Sequence, residues 1–154
     1  MHAGYEWYSG STRFTILHPT ADFVPADPNS GSMCILAEIC GHTLLIPGDV
    51  QGAGEKELTE VIGEALGSRR LDVYITAHHG SSGNTTAEFL EASHPRLAIN
   101  SAGLNNRYGH PDPETLERLR SSGCTSLTLY DTGAITLTFS GNDIKIQLYR
   151  KENV

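Results

Sequence analysis

Residues 74–84 read YITAHHGSSGN, an apolar run that stops abruptly on two adjacent histidines and a glycine. A short apolar stretch bounded by turn residues reads as a buried strand, here over 71–77 (LDVYITA). His78 and His79 then stand where that strand ends. Three readings are open at this point: a surface accident, a cap on the following segment, or a metal or phosphate site.

Two other places repeat the pattern of an apolar strand ending in polar residues beside glycine. They are LLIPGD, ending at Asp49, and AINSAGLNNRYGHP, with Asn100, Ser101 and His110. Loops at strand ends gather functional side chains because the sheet beneath holds them rigidly. Imidazole and carboxylate are the natural ligands of zinc, manganese or iron. Glycines beside them allow close backbone approach of a metal-bound substrate. Each place also has a plain alternative. Asp49 after Pro47-Gly48 suits a turn or a helix cap, His78-His79 suit a cap, and His110 between Gly109 and Pro111 suits a turn. The combination at matched strand ends favours function, although spacing by itself names no reaction. His2, His18, His42 and His94 lack such a context and read as structural or exposed.

The surrounding text fills in the order of elements. FTIL (14–17) is a short strand stopped by His18-Pro19, and TADFVPADPNSGS (20–32) is loop by composition. MCILAEIC (33–40) and TLLIP (43–47) flank Gly41-His42 as a hairpin. Leu58, Val61, Ile62, Ala65 and Leu66 recur at helical spacing within 55–66, with Gly67 as the stop. Thr85 or Thr86 caps a short helix carrying Phe89 and Leu90, and RLAIN (96–100) is a strand. Asp112-Pro113 opens a third helix reaching about Ser122. SLTLYD, AITLTFS and DIKIQLYRK then alternate, with breaks at Thr132-Gly133 and Gly141-Asn142, and predict an antiparallel meander. The order fits one layered α/β domain over 1–154 better than a doubly wound sheet.

Composition bounds the possibilities. The 154 residues are 38% hydrophobic and 19% charged, ordinary for a globular chain, with 16 glycines and 7 prolines suited to many turns. No apolar run of membrane-spanning length occurs, and MHAGYEWYSG lacks the basic leader and apolar stretch of a signal peptide. The three cysteines, Cys34, Cys40 and Cys124, form no CxxC pair and read as free thiols of a reducing compartment. A formal charge of −7 argues against non-specific nucleic-acid binding by the whole surface, but leaves room for a local site where a metal supplies positive charge. Arg69-Arg70 reads as a solvated helix end.

Four segments in order carry a resemblance to a known family: GDVQGAGEKEL, DVYITAHHGSSGNTTAEFL, LAINSAGLNNRYGHPDPETLERLRSSG and GAITL. FTILHP followed by NSGSMCIL extends it upstream, so that it runs from about Trp7 to Leu137. Together they resemble the C-terminal metallo-β-lactamase-like domain of ComEC-type DNA-internalization (competence) proteins. That resemblance implies a four-layer αββα sandwich and a metal-dependent hydrolase ancestry. It also implies a soluble domain of a polytopic inner-membrane protein, degrading the DNA strand that is not taken up. Carried over by position, Asp49 is the metal-bridging carboxylate, His78 and His79 the HHGS pair with one a ligand, and His110 a ligand or phosphate contact. On the same footing Asp49, His79 and His110 are the catalytic residues. Asn29, Ser81, Asn100, Ser101, Asn106 and Tyr108 become supporting or substrate-binding residues.

The family's HxHxDH motif is absent before Phe14, Asn29 stands where many relatives use histidine, and Asp131 lies one place nearer Gly133 than the usual spacing. The expectation is therefore a C-terminal portion of the sandwich, lacking the HxHxDH-bearing first part. Zinc or manganese should then bind this chain weakly or not at all, and an uncovered sheet face should favour self-association. The expected partner is single-stranded DNA, and contact with the membrane would come only through the missing transmembrane part. Two rival functions are a small-molecule phosphodiesterase of the same fold and a degenerate, non-catalytic binding domain.

Overall fold

Unbroken apolar text at 73–75 and 97–99 needs a sheet covered on both faces, which alternating strands do not. The structure, a computed structural model, describes residues 1–141 and 143–149 and contains that sheet. The elements run β1 (Glu6–Ser9), β2 (Thr12–His18), β3 (Cys34–Ile39), β4 (His42–Ile46), α1 (Ala53–Leu66), β5 (Val73–Ile75) and a 3₁₀ turn (Ala77–Gly80). There follow α2 (Ala87–Ser93), β6 (Leu97–Asn100), α3 (Pro113–Ser121), β7 (Thr125–Thr128), α4 (Leu129–Thr132), β8 (Ala134–Ser140) and β9 (Asp143–Tyr149). A seven-stranded sheet takes β1 to β7 in sequence order, while β8 and β9 form a two-stranded sheet. Pairing is antiparallel from β1 to β4 and parallel from β4 to β7.

Side-chain direction sorts the core into two layers. Leu36, Leu45, Tyr74 and Ala98 point to the face packed by Leu58, Ile62 and Leu66 of α1, Phe89 and Leu90 of α2 and Leu119 of α3. Val73, Leu97 and Ile99 point to the opposite face, where Ile135, Leu137 and Phe139 of β8 and Ile144 of β9 cover them. The layers are thus helices, large sheet and hairpin. Ile146, Leu148 and Tyr149 of β9 extend past this cover and remain exposed, as does Ile46 at the end of β4.

The layered mixed α/β architecture agrees with the reading of the sequence, and three details differ. The strand expected over 71–77 is confined to Val73–Ile75, because the Thr76 N–H turns to the Ile99 carbonyl and the chain then enters the 3₁₀ turn. The expected C-terminal meander is broken. β7 pairs parallel to β6, the four residues of α4 redirect the chain at Gly133 (φ 70°), and only β8 and β9 pair antiparallel. Alternation specifies a strand's faces but not its neighbour, so period alone did not separate β7 from the hairpin. The third difference is β1, which the sequence reading did not anticipate. It adds an edge to β2, with Trp7 stacked on Phe14 at 5.0 Å. The predicted break residue Asn142, and Arg150 and Lys151 of the predicted last strand, lie outside the described residues.

Loop 20–32 is held down by one buried histidine. His18 is 0% exposed, its Nδ1 lying 2.5 Å from Glu57 Oε2 and its Nε2 2.7 Å from the Ser30 carbonyl. Thr20 donates its N–H and hydroxyl to the same carboxylate. Burial raises the Glu57 carboxyl, but these hydrogen bonds outweigh it and hold the group below its ordinary value. Gly54 in the first turn of α1 is pressed against this pin. A Cβ there would stand 2.1 Å from the Ser30 carbonyl oxygen and 2.8 Å from Val50 Cγ2. Gly54→Ala should therefore destabilise the chain by about 1–3 kcal/mol through overpacking, despite the better helix propensity of alanine. Urea titration checks this, and an unchanged or raised midpoint would show that the loop yields freely.

Candidate functional site

Parallel strands deliver their carboxyl ends to one edge, and each of β4, β5 and β6 continues there into a loop that bears candidate residues. After β4, Pro47 and Gly48 (φ 61°) turn the chain so that Asp49 lies half-exposed. After β5, His78 and His79 both take positive φ, 47° and 58°, in the left-handed region that β-carbons disfavour. Their conformation is fixed from neighbouring loops. The His78 N–H donates to the Gly48 carbonyl at 3.1 Å, and Asp112 N–H of the third loop donates to the Gly80 carbonyl at 2.8 Å. Gly80 cannot carry a side chain, since a Cβ would meet Pro111 Cβ at 2.7 Å.

These turns bring Asp49, His78, His79 and His110 together. His79 Nε2 is 3.8 Å from Asp49 Oδ1, and the His78 ring centroid is 5.8 Å from that of His110 and 6.3 Å from that of His79. His79 Nδ1–H donates to the Ser101 carbonyl at 2.8 Å, which leaves Nε2 to present its lone pair toward Asp49. His78 Nδ1–H donates to Gln51 Oε1 at 3.2 Å, freeing its Nε2 in the same way. Two acceptors facing each other require a cation between them, either a proton or a metal ion. Ligands about 2.1 Å from a shared zinc stand about 3–4 Å apart, and the Asp49–His79 separation falls in that interval. Among the described residues, no group of three or more His, Cys, Asp or Glu side chains is arranged to hold a metal ion. The donor chemistry fits a divalent ion, and this chain offers it ligands in pairs. α1 starts at Gly52 without a side-chain cap and α2 is capped by Thr86, so neither Asp49 nor the histidine pair serves as a helix cap.

The other expected residues are placed as follows. Asn106 shapes its loop, its Oδ1 accepting the Tyr108 and His110 N–H groups and its Nδ2 donating to the Gly103 and His110 carbonyls. Tyr108 stacks on His110 with centroids 5.7 Å apart. Asn100 is fully buried. Its Nδ2 donates to Ser126 Oγ, the Leu127 carbonyl and Thr128 Oγ1, while its Oδ1 has no protein partner and faces the position a Cβ on Gly80 would occupy. Ser81 acts through its backbone, accepting from Thr115 Oγ1 at 2.9 Å and donating to the His78 carbonyl. Asn29 is the outlier. Its carbonyl accepts the Ser32 N–H, and no hydrogen bond joins its side chain to the four central residues.

Four residues that the sequence reading did not single out carry the frame. Asn84 donates to the Val50 carbonyl at 2.8 Å, joining the Asp49 and histidine loops. Arg118 of α3 reaches the Ser82, Asn84 and Thr85 carbonyls. Glu55 accepts the Thr85 and Thr86 N–H groups at 2.8 Å each. Gln51 links His78 to Asp27. Polar residues of helices and turns are expected at the surface, so only the burial of Asn84 and Glu55 discloses them.

Comparison with known proteins places this arrangement in context. No protein-family profile matches the chain. It is 35% identical over 123 residues to ComE operon protein 3 of Bacillus subtilis (strain 168), a match covering 80% of this chain and 15% of that protein. It is 30% identical over 149 residues to Competence protein ComA of Neisseria gonorrhoeae, covering 96% of this chain and 21% of that protein. The chain is thus related to competence proteins and spans about a fifth or less of the length of these two. No helix among the described residues is long and apolar enough to cross a membrane.

The electrostatics of the site give a pH signature. Burial lowers the His110 imidazole below its ordinary value, the nearby His78 and His79 lower it further, and Asp112 opposes them. The folded chain therefore favours neutral His110, while the unfolded chain takes up a proton near pH 6.5. This share of stability is intact above that pH and is lost as pH falls below it toward the depressed folded value. In chelator, the urea midpoint should drop between pH 7.5 and 5.5 more steeply for the wild-type chain than for His110→Gln. Parallel pH profiles would contradict the assignment.

Proposed function

We propose that this chain serves DNA uptake in competence, as the metal-dependent, phosphodiester-cleaving part of a longer protein acting on the DNA strand that is not transported. The observation that carries the reading is the convergence of Asp49, His78, His79 and His110 from three consecutive strand ends. The relationship to competence proteins supports the biological setting. The same proposal takes the helical layer, large sheet and hairpin as the C-terminal portion of a metallo-β-lactamase-like αββα sandwich. The order of layers supports it.

In this reading Asp49 and His79 hold a zinc or manganese ion, with His78 and His110 beside them. Such an ion, when bound, neutralises phosphate oxygens and supplies hydroxide near neutral pH. The remaining work belongs to the chain. The Ser101 carbonyl and Gln51 fix which nitrogen of His79 and His78 is free. Asn106 holds the backbone of His110 so that its ring faces His78. A neutral His110 can donate one hydrogen bond to a phosphate oxygen without the cost of burying an imidazolium.

Metal titration followed by thermal unfolding is the test. Binding to the 154-residue chain by itself should be weak, so manganese or zinc should stabilise it only at high concentration, by about 1.4 kcal/mol at tenfold excess over the dissociation constant, with the unfolding midpoint rising accordingly. Asp49→Ala and His79→Ala should each remove that rise. Cleavage of a single-stranded oligonucleotide, rather than of a small phosphodiester, should follow the same variants once the chain is tested within its longer protein. No metal response in the wild-type chain, and no cleavage there, would favour a non-catalytic binding domain.

A further inference from the structure

Beside the four central residues lies a pair of side chains that hydrolysis itself does not use. Tyr108 is 65% exposed on a loop fixed by its own hydrogen bonds. Its ring lies nearly parallel to His110, at an interplanar angle of 15°. The Arg107 guanidinium lies over the same ring, 4.6 Å from its centroid, and its Nη2 donates to the Tyr108 hydroxyl. Among the described residues Arg107 and Arg70 form no ion pair with a carboxylate, whereas Arg13, Arg69, Arg96, Arg118 and Arg120 each do, and Arg70 instead donates to the His94 carbonyl. On a chain of net charge −7 an uncompensated guanidinium marks a place where an anion is accepted with little competition.

A planar cation over an exposed aromatic ring is a stacking platform, and nucleobases stack on both tyrosine rings and arginine planes. Bases inside a duplex have both faces occupied by their neighbours, so the platform is open only to an unpaired base. Asn106 fixes the backbone of Tyr108 and His110 together, and the stack continues directly onto a ring of the site. A base lodged there places its own phosphate beside His110. We propose that Arg107 and Tyr108 form the seat for an unpaired nucleotide next to the reacting phosphate. Arg107 leaves the Tyr108 ring to pair with the adjoining phosphate, the base stacks on Tyr108 in its place, and the pair so makes the site selective for single strands. This inference rests on the phosphodiester reading and names the residues that choose its substrate.

Fluorescence anisotropy on the full chain, in chelator so that no strand is cut, provides the test. The probes are fluorescein-labelled oligothymidylate and a blunt duplex of equal length. Single strands should bind more tightly than the duplex. Tyr108→Ala should weaken single-strand binding about five- to hundredfold, the equivalent of one lost stacked base, and leave duplex binding unmoved. Tyr108→Trp should retain the preference. Arg107→Ala should reduce the slope of log affinity against log salt by about 0.7, the value for one phosphate contact on a single strand. Equal affinity for the two probes, no binding to either, or single-strand binding unchanged by Tyr108→Ala would overturn the inference. Asp49→Ala should keep the strand preference in chelator while losing the metal response, so the nucleotide seat and the hydrolytic site are judged separately.

Discussion

Beneath the carboxyl edge of the large sheet sits a carboxylate that water does not reach, and the geometry of the candidate site depends on it. Glu55 belongs to the first turn of α1, where the helix dipole favours negative charge. A buried carboxylate is tolerated only when its oxygens are hydrogen-bonded. Both are: Oε2 accepts the Thr85 N–H and Oε1 the Thr86 N–H. This fixes the start of α2 against α1 and holds Thr85 at a positive φ of 56°. Thr85 Oγ1 in turn shares a hydrogen bond with the Tyr74 hydroxyl, which accepts the Ala77 N–H at the mouth of the histidine turn. Burial, with the charge of Glu55, pushes the Tyr74 hydroxyl well above its ordinary range, so the ring remains a neutral hydrogen-bonding link.

From that anchor outward, polar contacts rather than apolar ones set the site. Apolar packing of α1 and α2 fixes the sheet to within a layer, but it is non-directional and does not set the angle of a side chain. Directional bonds do: Asn84 to Val50, Arg118 to the Ser82–Thr85 loop, and Thr115 to Ser81 each cross between loops. The two consecutive left-handed residues at His78 and His79 survive because these bonds over-determine them. Strained backbone at a strand end, held by a satisfied polar network, is the physical form of a pre-organised site.

Much of this was legible in the residues. Asp112-Pro113 and the pair Thr85-Thr86 marked helix starts that the structure contains, with Thr86 the cap of the second, and the strand-end histidines and Asp49 are indeed neighbours. His18 reads as an isolated histidine before proline. It is instead the pin between loop 20–32 and α1, and its meaning depends on Glu57, 39 positions away. Arg118 and Glu55 look like solvated helix positions because periodicity records only which side chains are apolar. The polar ones turned inward are invisible to it.

The sequence by itself determined most of the elements, the burial of β5 and the chemistry available at each strand end, because these follow from local propensity and spacing. The tertiary structure decided which strands are partners and which loops meet. β7 joined β6 in parallel rather than continuing into β8, and His110 came to face His78 across 32 positions of chain. Such choices rest on buried hydrogen bonds between residues distant in sequence, and a hydrogen bond exists only once both of its ends have been brought to one place.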